Sequence, residues 1–181
     1  NQPYRLGSFT LIFNGEIYNY LEIKALLLKE GINFDTTGDT EVLARALVQW
    51  GIDVTLDRLE GMWAFAFYNK NSGNLYLCRD RFGEKPLYFS NQNDGIYFSS
   101  ETKSLFQLLG RRLDFNFDQI HRYLINGYKS IYKHNSTFYN EVQEVNQGQW
   151  VKINKDLKLT VGTYWKPNLK VNETLNYMDS V

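Results

Sequence analysis

The sequence predicts an α+β layered domain built on antiparallel strands, and three observations carry that reading. Apolar residues recur at helical spacing before residue 60 and again after residue 117. Between those stretches the period changes to two, in short runs joined by tight turns. The aromatic share is high, at 16% with 13 Tyr and 12 Phe, and aromatics fit pleated, half-buried surfaces. Helices that flank hairpin-linked strands point to segregated layers rather than to strand–helix–strand units.

Leu11-Ile12-Phe13 reads as a short buried strand ending at Asn14-Gly15. A helix follows, with Asn19 as its cap, Glu22 completing a capping-box pattern and Gly31 as its stop. Its apolar face is Ile23, Leu26 and Leu27. A second helix begins at Asp39-Thr40 and ends before Gly51, with Val42, Leu43, Ala46, Leu47 and Trp50 on its core side. A helical turn at Leu56 to Leu59 leads to Gly61.

Met62 to Tyr68 alternates bulky Trp63, Phe65 and Phe67 with small Ala64 and Ala66. Such a strand is buried on both faces, between layers. Leu75 to Arg79, Pro86 to Ser90 and Ile96 to Ser100 are the next strands, joined through Arg81-Phe82-Gly83 and Asn93-Asp94-Gly95. Turns this short predict one antiparallel meander. Phe117 to Ile125 is a helix closed by Gly127, and Gln149 to Ile153 and Leu157 to Tyr164 form a last pair of strands.

Bulk properties narrow the function. Lys plus Arg and Asp plus Glu both number 20, so the net charge is zero and no basic footprint for nucleic acid exists. No stretch approaches the ~20 apolar residues of a membrane helix. The single cysteine, Cys78, rules out an internal disulfide and fits a cytoplasmic, reducing location. It lies within a strand-like run with neither His121 nor His134 near in sequence. A small buried hydrophobe is therefore the expected role, not a nucleophile. Two scattered histidines do not make a metal site.

The sharpest chemical feature is Asn14-Gly15. Amide hydrolysis builds negative charge on a carbonyl oxygen, and fixed donors aimed at that oxygen lower the barrier. A side-chain amide beside a glycine N–H supplies such a pair, although an Asn-Gly turn alone is common. Thr37-Gly38-Asp39-Thr40-Glu41-Val42 is the second block. Asp39 is placed to cap a helix or to hold an ammonium group, and both readings stand. Glu16 offers another carboxylate beside Asn14-Gly15. The third block runs from Leu59-Glu60-Gly61-Met62-Trp63 to Arg79-Asp80-Arg81-Phe82-Gly83-Glu84-Lys85-Pro86. Its glycines relieve crowding, and Arg79 and Asp80 read as an ion pair or turn clamp. Ser99-Ser100-Glu101-Thr102-Lys103 is the fourth block, read the same way.

Four blocks in this order resemble the glutaminase domain of glutamine-hydrolysing asparagine synthetases, a class II glutamine amidotransferase. The resemblance is strong over 11–105 and extends more weakly through 117–165, up to Tyr164-Trp165. The continuation Glu16-Ile17-Tyr18 distinguishes it from sibling amidotransferases. The fold so implied is a four-layer αββα sandwich of antiparallel sheets, of the N-terminal-nucleophile hydrolase type. A glutaminase domain would span 1–165 and a linker 166–181.

Carried over, the resemblance makes Asn14 and Gly15 the oxyanion hole, gives Glu16 and Asp39 the glutamine amino group, and counts Gly38 with them among the substrate-binding residues. The family attacks with a cysteine at the first position of the mature chain. Position 1 here is Asn1, so the expectation is a domain truncated at its N-terminus and inactive as it stands. The family's carboxylate-binding arginine is expected in that same front part, because Arg5 lies too close to Asn14.

The implied partners are glutamine and a C-terminal synthetase domain of the same chain, with a homodimer left open. No cofactor belongs to this domain. ATP and Mg2+ belong to the synthetase domain, which would amidate aspartate, and no Ser-Gly-Gly-x-Asp-Ser loop is present. Two rivals remain: a nucleophile-less scaffold, and an amidotransferase with a sugar or peptide acceptor.

Overall fold

The structure is a computed structural model that describes residues 2–128 and 136–168. Among the described residues, nine strands and four helices follow in order: β1 (Tyr4–Leu6), β2 (Phe9–Ile17), α1 (Tyr20–Lys29), α2 (Asp39–Arg58), β3 (Gly61–Asn69), β4 (Asn74–Arg79), β5 (Tyr88–Gln92), β6 (Gly95–Ser99), α3 (Thr102–Leu109), α4 (Phe117–Asn126), β7 (Gln143–Glu144), β8 (Gln149–Ile153) and β9 (Leu159–Thr163). They build two antiparallel sheets, one six-stranded in the order β1-β2-β3-β4-β8-β9, the other three-stranded in the order β6-β5-β7.

Side-chain size along β3 sets the layering. Strand residues alternate faces, so Trp63, Phe65 and Phe67 all enter one core, with Ile23, Leu27, Leu43 and Leu47 from α1 and α2. Ala64 and Ala66 enter the other, with Leu77, Leu87, Phe89, Val151 and Ile153. Bulk separates sheet from helices, and two alanines bring the second sheet in on the other side. A third cluster, Leu105, Leu113 and Val142 with Tyr88 and Phe106, seats α3 outside the second sheet. The result is the four-layer αββα sandwich that the resemblance implies.

Several local expectations are corrected. The strands from Met62 to Ser100 are not one meander: β3 pairs β4, but β5 leaves for the second sheet and pairs β6 and β7. The crossing segment is built by two side chains. Asp80, fully buried, accepts N–H groups from Trp63, Phe82, Glu84 and Lys85. Arg79 donates to the carbonyls of Gly83, Lys85 and Val145 and pairs with Glu144 at 2.7 Å. Both residues are turn clamps, as expected, but each works through other partners and not with its neighbour. Gly83, at φ 70°, lies against the Arg79 guanidinium, where a Cβ would press on it.

Asn14-Gly15 does not end a strand. β2 runs on to Ile17, in continuous register with β3 down to Ile17 opposite Gly61. Asn19 precedes α1 without capping it. Its carboxamide instead accepts from Glu60 N and donates to Arg58 O, tying the helix start to the entry of β3. On α1, Ile23 and Leu27 are buried while Leu26 is 40% exposed. α2 breaks at Gly51 (φ 77°, ψ 178°), so the predicted stop is real although a second helical stretch continues to Arg58.

Candidate functional site

The last four residues of β2 carry the predicted chemistry. Facing strands come unusually close there. A Cβ on Gly15 would strike the Met62 carbonyl oxygen, and one on Gly61 would strike that of Glu16. Glycine at both positions is thus a packing requirement. It fixes the backbone of Asn14, Gly15 and Glu16 against β3.

Asn14 is exposed and lines a groove of about 500 Å³ between the sheets. Ile12, Ala64, Ala66, Leu87 and Phe98 form its apolar wall. Asn14 Nδ2 donates to Ser100 Oγ at 3.1 Å, across the sandwich from β2 to the loop after β6. The groove is mostly apolar, with the Asn14 carboxamide and the Ser99 and Ser100 hydroxyls as its polar end.

Asp39 reaches the same end of β2 from the helix layer. Its Oδ2 accepts the Ile17 N–H at 3.1 Å. The side chain does not cap α2, whose cap position is Gly38 in extended conformation. Asp39 therefore sits three residues along β2 from Asn14, on the order of 10 Å at the usual strand rise. Glu16 is exposed between them in sequence, and Gly38 is exposed before Asp39. The structure thus places Asp39 at the end of the strand that carries Asn14, Gly15 and Glu16, but of these only Asn14 lines the groove. Asn14 turns to the second-sheet side, while Asp39 arrives from the α2 side.

Sequence reasoning missed two residues that shape this region. Glu41 is 1% exposed and accepts N–H groups from Asp35 and Thr36 together with Arg45 Nε at 2.6 Å. Burial pushes its carboxyl up, but the Asp35 and Thr36 donors and Arg45 outweigh that and hold it at about 2. The loop that leads into Gly38 and Asp39 is thereby tied to α2. The available signal was an acidic residue one place before the apolar Val42-Leu43 of the core face. Gln2 is the other: its side-chain amide makes both backbone hydrogen bonds of Phe13, acting like one further strand residue beside β2.

Cys78 is fully buried in the helix-side core, opposite Phe65 and Trp150. Burial, with the Asp53 charge adding, pushes its thiol well above the ordinary range. A buried, protonated thiol is no nucleophile. Among the described residues no group of three or more His, Cys, Asp or Glu could hold a metal ion, and no helix is long and apolar enough to cross a membrane. His134 and the tail from 169 on lie outside the described residues.

Comparison with known proteins identifies the family of the chain. A family profile described as a glutamine amidotransferase domain matches residues 1–165. Asparagine synthetase [glutamine-hydrolyzing] 1 of Bacillus subtilis is 36% identical over 171 residues, 94% of this chain and 26% of that protein. A putative asparagine synthetase [glutamine-hydrolyzing] of Mycobacterium tuberculosis is 32% identical over 190 residues, 99% of this chain and 28% of that protein. The chain spans about a quarter of the length of these relatives. Among solved structures, the glutamine phosphoribosylpyrophosphate amidotransferase from B. subtilis superimposes with a TM-score of 0.64 at 22% identity, over 92% of this chain and 32% of that one. That likeness concerns the fold. With residues 1–165 of its 181 matched by the profile, the chain belongs to the glutamine amidotransferase domain family and is homologous to the glutaminase domains of asparagine synthetases.

Proposed function

We propose that this chain is the glutamine-hydrolysing part of a longer, asparagine synthetase-like amidotransferase. The observation that carries the reading is Asn14. It is an exposed carboxamide donor in a groove, beside a glycine whose backbone is fixed by close strand contact, at the strand end where Asp39 is anchored. That is the set amide hydrolysis at an amino acid needs: donors for a developing oxyanion and a carboxylate for an ammonium.

In this reading the nucleophile is a cysteine outside these 181 residues, since Cys78 is the only one here and is buried. Its thiolate adds to the carboxamide carbon of glutamine, and Asn14 and Gly15 stabilise the oxyanion. The carbon–nitrogen bond then breaks, ammonia leaves with the proton it needs, and water hydrolyses the thioester to glutamate. Glu16 and Asp39 hold the α-amino group, with Gly38 lining the substrate beside Asp39. The ammonia is used elsewhere in the longer protein, on an aspartate carboxylate activated by ATP with Mg2+. The names of the relatives favour that acceptor over a sugar or peptide.

The test is a pair of variants in the longer protein with its own cysteine. Asn14→Ala should lower kcat for glutamine hydrolysis about a hundredfold to a thousandfold, since an oxyanion donor acts on transition-state charge. Asp39→Asn should chiefly raise the glutamine KM, because the ammonium contact exists in both states. An Asn14→Ala enzyme with unchanged kcat and a raised KM would make Asn14 a shaping residue and remove the oxyanion assignment. The rival reading is a scaffold that never turns glutamine over. A longer protein that releases no glutamate from glutamine would establish the rival.

A further inference from the structure

We infer that Ser100 is a positioning residue for glutamine hydrolysis, acting by orienting the Asn14 carboxamide. The inference rests on the glutaminase reading above and goes beyond it to a residue on the opposite sheet. Asn14 must present a hydrogen of Nδ2, not its Oδ1, to an oxyanion. The terminal torsion of an Asn side chain is broad and roughly two-fold, and the two ends of the amide are close in size. Nothing in the strand backbone selects between them. Ser100 Oγ does, by accepting one Nδ2 hydrogen at 3.1 Å and leaving the other for a ligand oxygen in the groove that both residues line.

The loop that carries Ser100 is held for this task. Ser99 Oγ accepts the Glu101 N–H at 3.2 Å, fixing the turn between β6 and α3. Glu101 then pairs with Lys103 at 2.7 Å on the surface. Leu105 and Phe106 anchor the first turns of α3 in the outer core. The Ser99-Ser100 pair thus has a division of labour. One hydroxyl shapes the loop and the other crosses the sandwich to a residue 86 positions earlier in the chain. Ser100 touches no reacting atom in this scheme. It fixes which way a donor points, and an oxyanion donor pointed away contributes nothing to the transition state.

The experiment uses the longer protein with its own cysteine. Ser100→Ala should lower kcat for glutamine hydrolysis about tenfold, less than loss of Asn14 itself, because the amide still samples the productive orientation. The glutamine KM should stay within about twofold, since orientation matters to the transition state more than to binding. Ser100→Thr keeps the hydroxyl and should recover most of the rate. In an Asn14→Ala background, Ser100→Ala should add nothing, because the two residues act as a unit. A direct readout needs no turnover: in the 181-residue chain, the shift separation of the two Asn14 Nδ2 protons by NMR should shrink in Ser100→Ala and persist in Ser100→Thr. An Asn14→Ala enzyme that slows while Ser100→Ala does not would overturn the Ser100 inference alone. Additive losses in the double variant, or a KM effect without a kcat effect, would overturn it too. If Asn14→Ala itself leaves kcat unchanged, the glutaminase reading of Asn14 fails first, whatever Ser100 does.

Discussion

On its helix-facing side the six-stranded sheet is sealed by Trp63, Phe65 and Phe67 against α1 and α2, none more than 7% exposed. On its other side the covering is partial. The three-stranded sheet packs on β3, β4 and β8, through Ala64, Ala66, Leu77, Val151 and Ile153, and no residue of β2 enters that core. Ile12 of β2 is left 44% exposed beside the groove, and Asn14 stands two residues further along the same face. One strand therefore contributes Leu11, Phe13 and Ile17 to a closed core and Ile12 and Asn14 to an open cleft. The alternation of a strand lets rigidity and access come from successive residues. On the proposed function, a donor such as Asn14 gains from this, because its backbone is held by packing on the other face.

The sharpest way to break the contrast is to truncate one residue on each face. Phe65→Ala should cost about 3–5 kcal/mol, the usual loss for emptying a packed aromatic site. Ile12→Ala should cost about 1 kcal/mol or less, as for a surface substitution. Urea unfolding of both variants measures the difference. Comparable losses would mean that the groove side is as tightly packed as the helix side.

A second test concerns the loop that enters α2. Glu41 titrates at about 2 in the folded chain against an ordinary value of 4.5. Its folded value is depressed, so its contribution is present above pH 4.5 and is lost as the pH falls through 2. The shift corresponds to about 3 kcal/mol. Glu141, held down to about 2 by Arg111, titrates in the same window, so the comparison must be with a Glu41→Gln variant. Stability measured from pH 6 to 2 should fall more steeply for the parent chain than for the variant. Parallel curves would show that Glu41 does not clamp the loop.

How much of this was legible before folding follows from the reach of each interaction. The alternation Trp63-Ala64-Phe65-Ala66-Phe67 carried its own two-faced burial, because strand period and side-chain size are local properties. Val42, Leu43, Ala46 and Leu47 showed a helix face for the same reason. The sheet assignment of β5 was not legible. Its turn signals look like those of a hairpin, and the crossing depends on Asp80 gathering donors from Trp63 and from its own loop. Asn19 was misread as a cap, and of the two roles open to Asp39 the cap is not made, because each carries good capping chemistry that a distant backbone group claims, Glu60 N for one and Ile17 N for the other. At the candidate site, Asn14, Gly15, Glu16 and Asp39 came out of motif chemistry. Ser100 did not emerge as a partner, since no local pattern announces a hydrogen bond between opposite sheets.

The smallest expected effect falls on the most suspicious residue. Cys78 is the only thiol in the chain, and an amidotransferase domain invites its assignment as nucleophile. The sealed face argues against that at each step. The side chain is 0% exposed, between β3 and β8 in a core of aromatic and aliphatic groups. Burial raises the thiol's pKa, so the reactive thiolate is scarce at neutral pH. Asn14 faces the groove, on the other side of the sheet. A disulfide reagent such as Ellman's should therefore label the native chain only at the rate of its unfolding. Cys78→Ala should cost about 1 kcal/mol, the scale of losing a small buried group. In the longer protein it should leave both kcat and KM for glutamine unchanged. Fast labelling of the folded chain, or lost glutamine turnover in a Cys78→Ala enzyme that unfolds at the parental urea concentration, would put the nucleophile on the closed face and reverse the roles of the two sides.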